Sequence, residues 1–201
     1  MTVMSQCVVI SGCSGGGKSS LLSELGARGY PVVEEPGRRV VMEETARHGN
    51  ALPWVDMPAF LRRVIAMARA DLLALEQSAG RVGLGEPGEP GEPGEPGEPG
   101  KWVFFDRGLV DAFVALQHVS GKPQLAPLVH QVRPYHRIVF LTPPWPEIYV
   151  QDAERRHDLD AATAEYARLL EAYPALGYDV RIIPRASIVE RADFVLNTLQ
   201  G

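Results

Sequence analysis

The sequence predicts an α/β fold in which helices cover both faces of a five-stranded parallel sheet. Patterns typical of strands and of helices alternate along the 201 residues. The strand patterns are continuous apolar runs, which are typical of parallel strands that are buried on both faces. A glycine-rich turn separates the first strand from the first helix. With 45% hydrophobic residues the chain can form one core, so we expect a single domain over residues 1–201.

The first apolar run, residues 7–11, leads into a glycine-rich turn, and residues 20–25 have the apolar spacing of a helix. The turn matches the phosphate-binding loop pattern G-x-x-x-x-G-K-[ST], whose backbone N–H groups and helix N-terminus surround an anion. We expect Lys18 along the β- and γ-phosphates of a nucleotide and the Ser19 hydroxyl on Mg²⁺. The residues expected to bind the nucleotide are Gly12, Cys13, Ser14, Gly15, Gly16, Gly17, Lys18, Ser19 and Ser20.

The second strand, residues 30–34, ends in two acids, and residues 39–47 have helical composition. A carboxylate at this strand end could accept the proton of an acceptor hydroxyl. We favour Glu35 as this base and keep Glu34 as the alternative, since only one of two consecutive strand residues faces a given side. Both could also be surface charges before a helix. Arg38 is expected to pair with Glu35, to bind an anionic substrate group or to be solvated.

Residues 58–78 form an amphipathic helical pattern that Asp56 can cap. Five Glu-Pro-Gly triplets follow at residues 86–100. Their composition predicts a disordered surface insertion over about residues 80–100. The five glutamates of the triplets account for the formal net charge of −5, so the rest of the chain is balanced. Charge therefore indicates neither a nucleic-acid surface nor an acidic interaction domain.

The third strand, residues 102–106, ends in an acid that precedes Arg107 and a helical segment at 111–119. An acid at the end of an apolar strand has the Walker B position, from which Asp106 would bind Mg²⁺ through water or steer the acceptor. Its alternative role is the N-cap of the next helix. Arg107 is expected to reach phosphate or substrate.

A charged segment at residues 151–158 follows the fourth strand, residues 136–141, and precedes a helix at about 161–173. Arginines on a mobile lid can neutralise the transition state of phosphoryl transfer when the lid closes. We therefore assign this role to Arg155 and Arg156, with a solvated helix face as the alternative.

The fifth strand spans residues 178–183, and a capping box from Ser187 to Glu190 opens the last helix. Arg185 lies in the loop between them, where we expect it near the nucleotide base.

The two cysteines, Cys7 and Cys13, have neither metal-ligand spacing nor partners for a disulfide framework. The helix start near Cys13 could lower the pKa of its thiol, but we favour an inert packing role. No run is long and apolar enough to span a membrane, and no secretory signal is evident, so we expect a cytoplasmic protein.

The chain resembles the AAA_28 group of predicted ATPases, P-loop proteins that are similar to ribosylnicotinamide kinases and, more distantly, to deoxynucleoside and thymidylate kinases. The matching motifs span nearly the whole chain outside the repeats, namely GCSGGGKSS, EEPGRR, FFDRGLVDA and DAERRHD with the following EAYPALGYDV. The resemblance implies a P-loop NTPase fold of the nucleoside-kinase type with a short lid. The acid pair of the ring ATPases is missing, which argues against a hexameric motor.

In deoxynucleoside kinases a glutamate before proline at the second strand is the base, so the resemblance supports Glu35. The Asp-Arg pair of the same enzymes supports Asp106 and Arg107. The doubled Glu34-Glu35 departs from their single glutamate and leaves the choice of base open.

From these observations we expect an Mg²⁺- and ATP-dependent phosphotransferase that acts on a small hydroxylated, nucleoside-like metabolite, with GTP as the alternative to ATP. Its partners would be the nucleoside triphosphate and the acceptor, without nucleic acid or membrane, in a monomer or homodimer. One alternative is a non-kinase ATPase or GTPase, or a nucleotide-switched regulatory binding protein. Another is a degenerate kinase fold that binds nucleotide without chemistry.

Overall fold

Five parallel strands form a single sheet in the computed structural model, which describes residues 6–82, 102–125, 134–148 and 159–200. The strand order is β2-β3-β1-β4-β5. The prediction of a five-stranded parallel sheet is therefore confirmed. The strands are β1 (Cys7–Gly12), β2 (Val32–Val33), β3 (Val103–Asp106), β4 (Ile138–Thr142) and β5 (Asp179–Ile182).

The described part of the chain forms six α-helices and one 3₁₀ turn, at Pro146–Ile148. The helices are α1 (Lys18–Ala27), α2 (Pro36–Ala46), α3 (Met57–Val82), α4 (Leu109–Ser120), α5 (Leu159–Ala175) and α6 (Ile188–Gln200). Two predicted caps are present. Asp56 Oδ1 accepts a hydrogen bond from Ala59 N at 2.9 Å, and Ser187 and Glu190 form the capping box that precedes α6.

Residues of the strands alternate between two apolar cores, one on each face of the sheet. Cys7 and Val9 belong to the core beneath α2, α3, α4 and α5, whereas Val8 and Ile10 belong to the core beneath α1 and α6. All four side chains are fully buried. This arrangement explains why β1 is a continuous apolar run.

Two element boundaries differ from the sequence prediction at the strand ends. β2 covers only Val32–Val33 and, as an edge strand, pairs with β3 alone. α2 begins at Pro36, since the fixed φ of proline suits the first position of a helix.

A third difference concerns α4, which begins at Leu109 with Gly108 as its N-cap. The alternative role of Asp106 as an N-cap is therefore wrong.

The proposed insertion at about residues 80–100 and the charged segment 151–158 lie largely or wholly outside the described residues. Within the described ranges, none of the helices has the length and apolar character that a membrane span requires.

Candidate functional site

The carboxyl ends of β1, β2 and β3 meet at one small cleft. Because β3 lies between β1 and β2, the segments that follow these strands are neighbours in space even though they are far apart in sequence. The cleft brings together most of the predicted site residues, namely Ser14, Gly15, Gly17, Lys18, Ser19, Glu35, Arg38, Asp106 and Arg107. Glu34 does not line it and is exposed.

The phosphate-binding loop is held tightly against β4. Cys13 N donates to Thr142 O at 2.9 Å. A side chain on Gly12 would place its Cβ 2.4 Å from the same carbonyl oxygen, and Gly12 has a φ of 110°. Glycine is therefore required here both by its backbone conformation and by the approach of β4.

Lys18 folds back over the loop that precedes it. Its Nζ donates to Cys13 O at 2.9 Å and to Gly12 O at 3.4 Å, and the residue is only 8% exposed. Burial lowers the pKa of Lys18, and the nearby positive charge of Arg107 lowers it further. The ammonium group thus lies at the loop, where a bound anion would favour its charged form.

Glu35 stands at the N-cap of α2, but its side chain turns toward two arginines instead of capping the helix. Arg38 Nε contacts Glu35 Oε2 at 3.0 Å, and Arg107 Nε contacts Glu35 Oε1 at 3.4 Å. Arg38 Nη2 also donates to Ser19 Oγ at 3.4 Å, which links this carboxylate to the start of α1. Of the two consecutive glutamates, Glu35 and not Glu34 therefore lines the cleft.

Asp106 lies at the end of β3, and its Oδ1 is buried without a hydrogen-bond partner among the described residues. The residue is 7% exposed. Burial raises the pKa of this carboxyl, Glu35 raises it further, and Lys18 acts in the opposite direction. A buried carboxylate oxygen that lacks a donor is a site where a cation would be stabilised.

Mg²⁺ fits this donor set. It prefers oxygen ligands and commonly takes one or two from the protein, with water and phosphate oxygens completing its coordination. Ser19 and Asp106 supply a hydroxyl and a carboxylate in the same cleft. In the described ranges no group of three histidine, cysteine or acidic side chains could hold a metal ion.

Arg107 follows Asp106 in a left-handed conformation with a φ of 63°. Its guanidinium contacts Glu165 Oε1 at 2.7 Å and Asp111 Oδ1 at 3.3 Å, in addition to Glu35. Burial alone would lower the pKa of Arg107, but Glu165, Glu35 and Asp111 together raise it well above its usual value. The guanidinium therefore remains charged and is held by carboxylates from three different elements.

Asp111 connects Arg107 to the buried core, and the sequence analysis did not identify it. Its Oδ2 accepts hydrogen bonds from Tyr173 OH at 2.6 Å and from Gly108 N at 2.9 Å. Its Oδ1 accepts one from Ser11 Oγ, directly before the phosphate-binding loop. The available sequence signal was the spacing of four residues between Arg107 and Asp111, which places an ion pair at the start of a helix.

Two other residues that reach the site gave no local signal in the sequence. Glu165 lies in the middle of α5 and contacts Arg107. Arg191 lies in α6, and its Nη2 donates to Gly16 O at 3.0 Å. Tertiary packing alone brings both residues to the loop.

Other predicted site residues are not part of the cleft. Arg185 is exposed, and its Nη2 donates to Pro144 O at 2.5 Å. Ser20 is exposed on α1. Arg155 and Arg156 lie outside the described residues. Cys13 is fully buried and burial raises the pKa of its thiol, so the disfavoured alternative of a lowered pKa is wrong.

Solved structures with a similar fold include two kinases and NadR. A deoxyadenosine kinase from M. mycoides with bound dATP aligns over 98% of this chain and 100% of its own, with 13% identity and a TM-score of 0.59. A thymidylate kinase from Ehrlichia chaffeensis aligns over 98% and 99%, with 18% identity and a TM-score of 0.57. NadR in complex with NR aligns over 98% of this chain but 51% of its own, with 18% identity and a TM-score of 0.62. These likenesses confirm the fold.

Family membership follows from the sequence comparison. No curated protein matches the chain significantly. The AAA_28 family model, described as an AAA domain, matches residues 7–83 and 95–191. This match covers most of the chain and leaves out only part of the Glu-Pro-Gly region between its two segments, so the resemblance is confirmed. The chain belongs to the AAA_28 family and has the P-loop fold of the nucleoside and nucleotide kinases.

Proposed function

We propose that this protein is an Mg²⁺- and ATP-dependent phosphotransferase that acts on a small hydroxylated, nucleoside-like metabolite. One observation carries the proposal, namely that a single cleft is lined by Lys18 and Ser19 of the phosphate-binding loop and also by Glu35 and Asp106. The phosphate-binding loop with Lys18 and Ser19 would hold the donor. Glu35, which lines the same cleft, would serve the acceptor.

The donor half would work by positioning and by charge. Backbone N–H groups of the loop and the Lys18 ammonium would surround the phosphates. Ser19 and Asp106 would hold Mg²⁺, which would supply positive charge to offset the negative charge that develops during phosphoryl transfer. The unpartnered Oδ1 of Asp106 supports this assignment.

Glu35 would accept the proton of the acceptor hydroxyl as the acceptor oxygen forms its bond to the γ-phosphorus. The bond between that phosphorus and the bridging oxygen breaks, and ADP leaves with the electron pair. The ion pairs of Glu35 with Arg38 and Arg107 keep its carboxylate in one orientation toward the cleft. Arg155 and Arg156 are proposed to add positive charge to the transition state.

The solved structures with this fold support a nucleoside-like acceptor. They include a deoxyadenosine kinase and a thymidylate kinase, and NadR was crystallised with NR. Because their sequence identity to this chain is low, they support the class of acceptor and not its identity.

ADP formation from ATP and Mg²⁺ should be measured with and without a panel of nucleosides, vitamins and sugars. We expect acceptor-dependent stimulation, and we expect Lys18→Ala to abolish it while circular dichroism stays unchanged. Lys122→Ala is the matched control, because this exposed lysine lies outside the cleft and should retain full activity.

Two other results would assign a different function. Slow ADP formation that no acceptor stimulates would indicate an NTPase or a nucleotide-dependent switch. Nucleotide binding without any turnover would indicate a degenerate kinase. Full activity of Lys18→Ala would refute the proposed donor site.

A further inference from the structure

Arg191 is a buried cation that packs directly beneath the phosphate-binding loop. It lies in α6 and is 2% exposed. Its Nη2 donates to Gly16 O at 3.0 Å, and its Cζ lies 5.7 Å from the centre of the Trp145 ring. A Cβ on Gly17 would lie 2.7 Å from Arg191 Nη1, so the absence of a side chain at Gly17 makes room for the guanidinium.

The charge of Arg191 has no carboxylate partner among the described residues. Its Nε is also buried without a hydrogen-bond acceptor there. Burial lowers the pKa of this guanidinium, and no acidic group of the described residues offsets the effect. Arg107, whose side chain is 14% exposed, differs in having three acidic partners.

A buried charge without a counter-ion destabilises a fold, so its presence calls for a compensating interaction. Trp145 supplies part of it through its ring face. A ligand bound at the phosphate-binding loop would supply the rest of the compensating interaction, because a triphosphate is a polyanion. A cation behind the loop also raises the positive potential where the phosphates would bind. The bond to Gly16 O also polarises the peptide group whose N–H belongs to Gly17, which makes that N–H a better donor.

We propose that Arg191 is a binding residue of the nucleotide site, where its buried positive charge is neutralised by the phosphates of a bound nucleoside triphosphate. This inference rests on the nucleotide-binding half of the proposed function and not on phosphoryl transfer. It assigns to α6 a role that no motif of the sequence indicates.

The test separates the charge of Arg191 from its hydrogen bond. Arg191→Gln keeps a donor but removes the charge, Arg191→Lys keeps the charge, and Arg191→Met removes both. Affinity for MgATP and for inorganic tripolyphosphate should be measured by calorimetry, and the melting temperature of the ligand-free protein by circular dichroism. Arg62→Gln is the control, since Arg62 is exposed on α3 and lies outside the cleft.

We expect Arg191→Gln to weaken both ligands about ten-fold or more and to leave the ligand-free melting temperature unchanged or higher, because a buried charge has been removed. Arg191→Lys should stay within about three-fold of the wild type, since its ammonium keeps the charge that attracts the phosphates. If Arg191→Met does not fold, the Gln and Lys variants still show whether the charge of Arg191 contributes to nucleotide binding.

A lower melting temperature in Arg191→Gln with unchanged affinity for both ligands would overturn the inference. That result would mean that Arg191 has a structural role and not a role in nucleotide binding. Wild-type protein that binds no nucleoside triphosphate would refute both this inference and the proposed function. Wild-type protein that binds MgATP but transfers no phosphate to any acceptor would refute the proposed function alone.

Discussion

Replacing Asp111 with alanine should destabilise the protein severely, although this residue lies outside the cleft. The Asp111 carboxylate is 6% exposed and accepts hydrogen bonds from the Ser11 hydroxyl, the Gly108 amide and the Tyr173 hydroxyl. It also contacts the Arg107 guanidinium at 3.3 Å. Ser11 and Tyr173 are fully buried, so neither hydroxyl could turn to bulk water if the carboxylate were removed.

The expected loss of unfolding free energy is about 4 kcal/mol. Removing one partner of a buried ionic interaction typically costs about 3–5 kcal/mol, since the remaining groups stay buried and unpaired. Each hydrogen bond to a charged acceptor contributes about 1.5–3 kcal/mol, so the loss of several such bonds is consistent with that range even if some partners rearrange. For a protein of this size the melting temperature should fall by about 8–16 °C.

Urea denaturation followed by circular dichroism measures this loss. Asp193→Ala is the matched control, because it removes one ion pair, with Arg28, from a carboxylate whose side chain is 51% exposed. The control should lose no more than about 1 kcal/mol. Tyr173→Phe should lose about 1.5–3 kcal/mol, and adding Asp111→Ala to it should cost less than Asp111→Ala costs alone. A loss below about 1.5 kcal/mol for Asp111→Ala would show that the network does not stabilise the fold as described.

Two further predictions concern the carboxylates of the cleft. Glu35→Gln should lower acceptor-dependent kcat by at least about 100-fold while MgATP still binds. Glu34→Gln should leave kcat unchanged. Equal losses of kcat in the two variants would remove the basis for choosing Glu35. Asp106→Asn should abolish turnover yet stabilise the ligand-free protein at pH 7 in urea denaturation. The pKa of Asp106 is raised in the folded protein, so the wild type loses stability as the pH rises from about 4, the usual aspartate pKa, through the folded-state pKa. Below pH 4 the carboxyl is protonated in both states, and the stability gained by Asp106→Asn should vanish. An Asp106→Asn variant less stable than wild type at pH 7 would contradict this account.

The strand ends that carry the site could be predicted from the sequence because their signals are local. The loop before Lys18 combines glycines, a lysine and a serine in a fixed spacing. Asp106 ends an apolar run, and the parallel sheet places the carboxyl ends of its strands along one edge. The choice between Glu34 and Glu35 needed the structure, because β2 is too short for strand alternation to decide which side chain faces the cleft.

The residues behind the cleft could not be predicted because their positions depend on packing. Glu165 and Arg191 belong to helices whose sequence pattern indicates only which face is apolar. The contact between Arg191 and Gly16 joins residues that are 175 positions apart. A buried arginine on an amphipathic helix is the one unusual feature that such a pattern could have revealed.

The backbone of Arg107 explains how one side chain can serve three carboxylates. A left-handed φ costs a residue other than glycine about 1–2 kcal/mol, so it persists only where surrounding contacts impose it. Here the Arg107 amide donates to Ile10 O at 3.0 Å, which fixes the turn after β3. Glu165 and Asp111 then hold one edge of the guanidinium, while its Nε faces Glu35. Arg107 is thus better placed to orient Glu35 than to bind phosphate. In the proposed function, the positive charge around a triphosphate would come from Lys18, Mg²⁺, Arg155, Arg156 and Arg191, whose guanidinium has no carboxylate partner among the described residues.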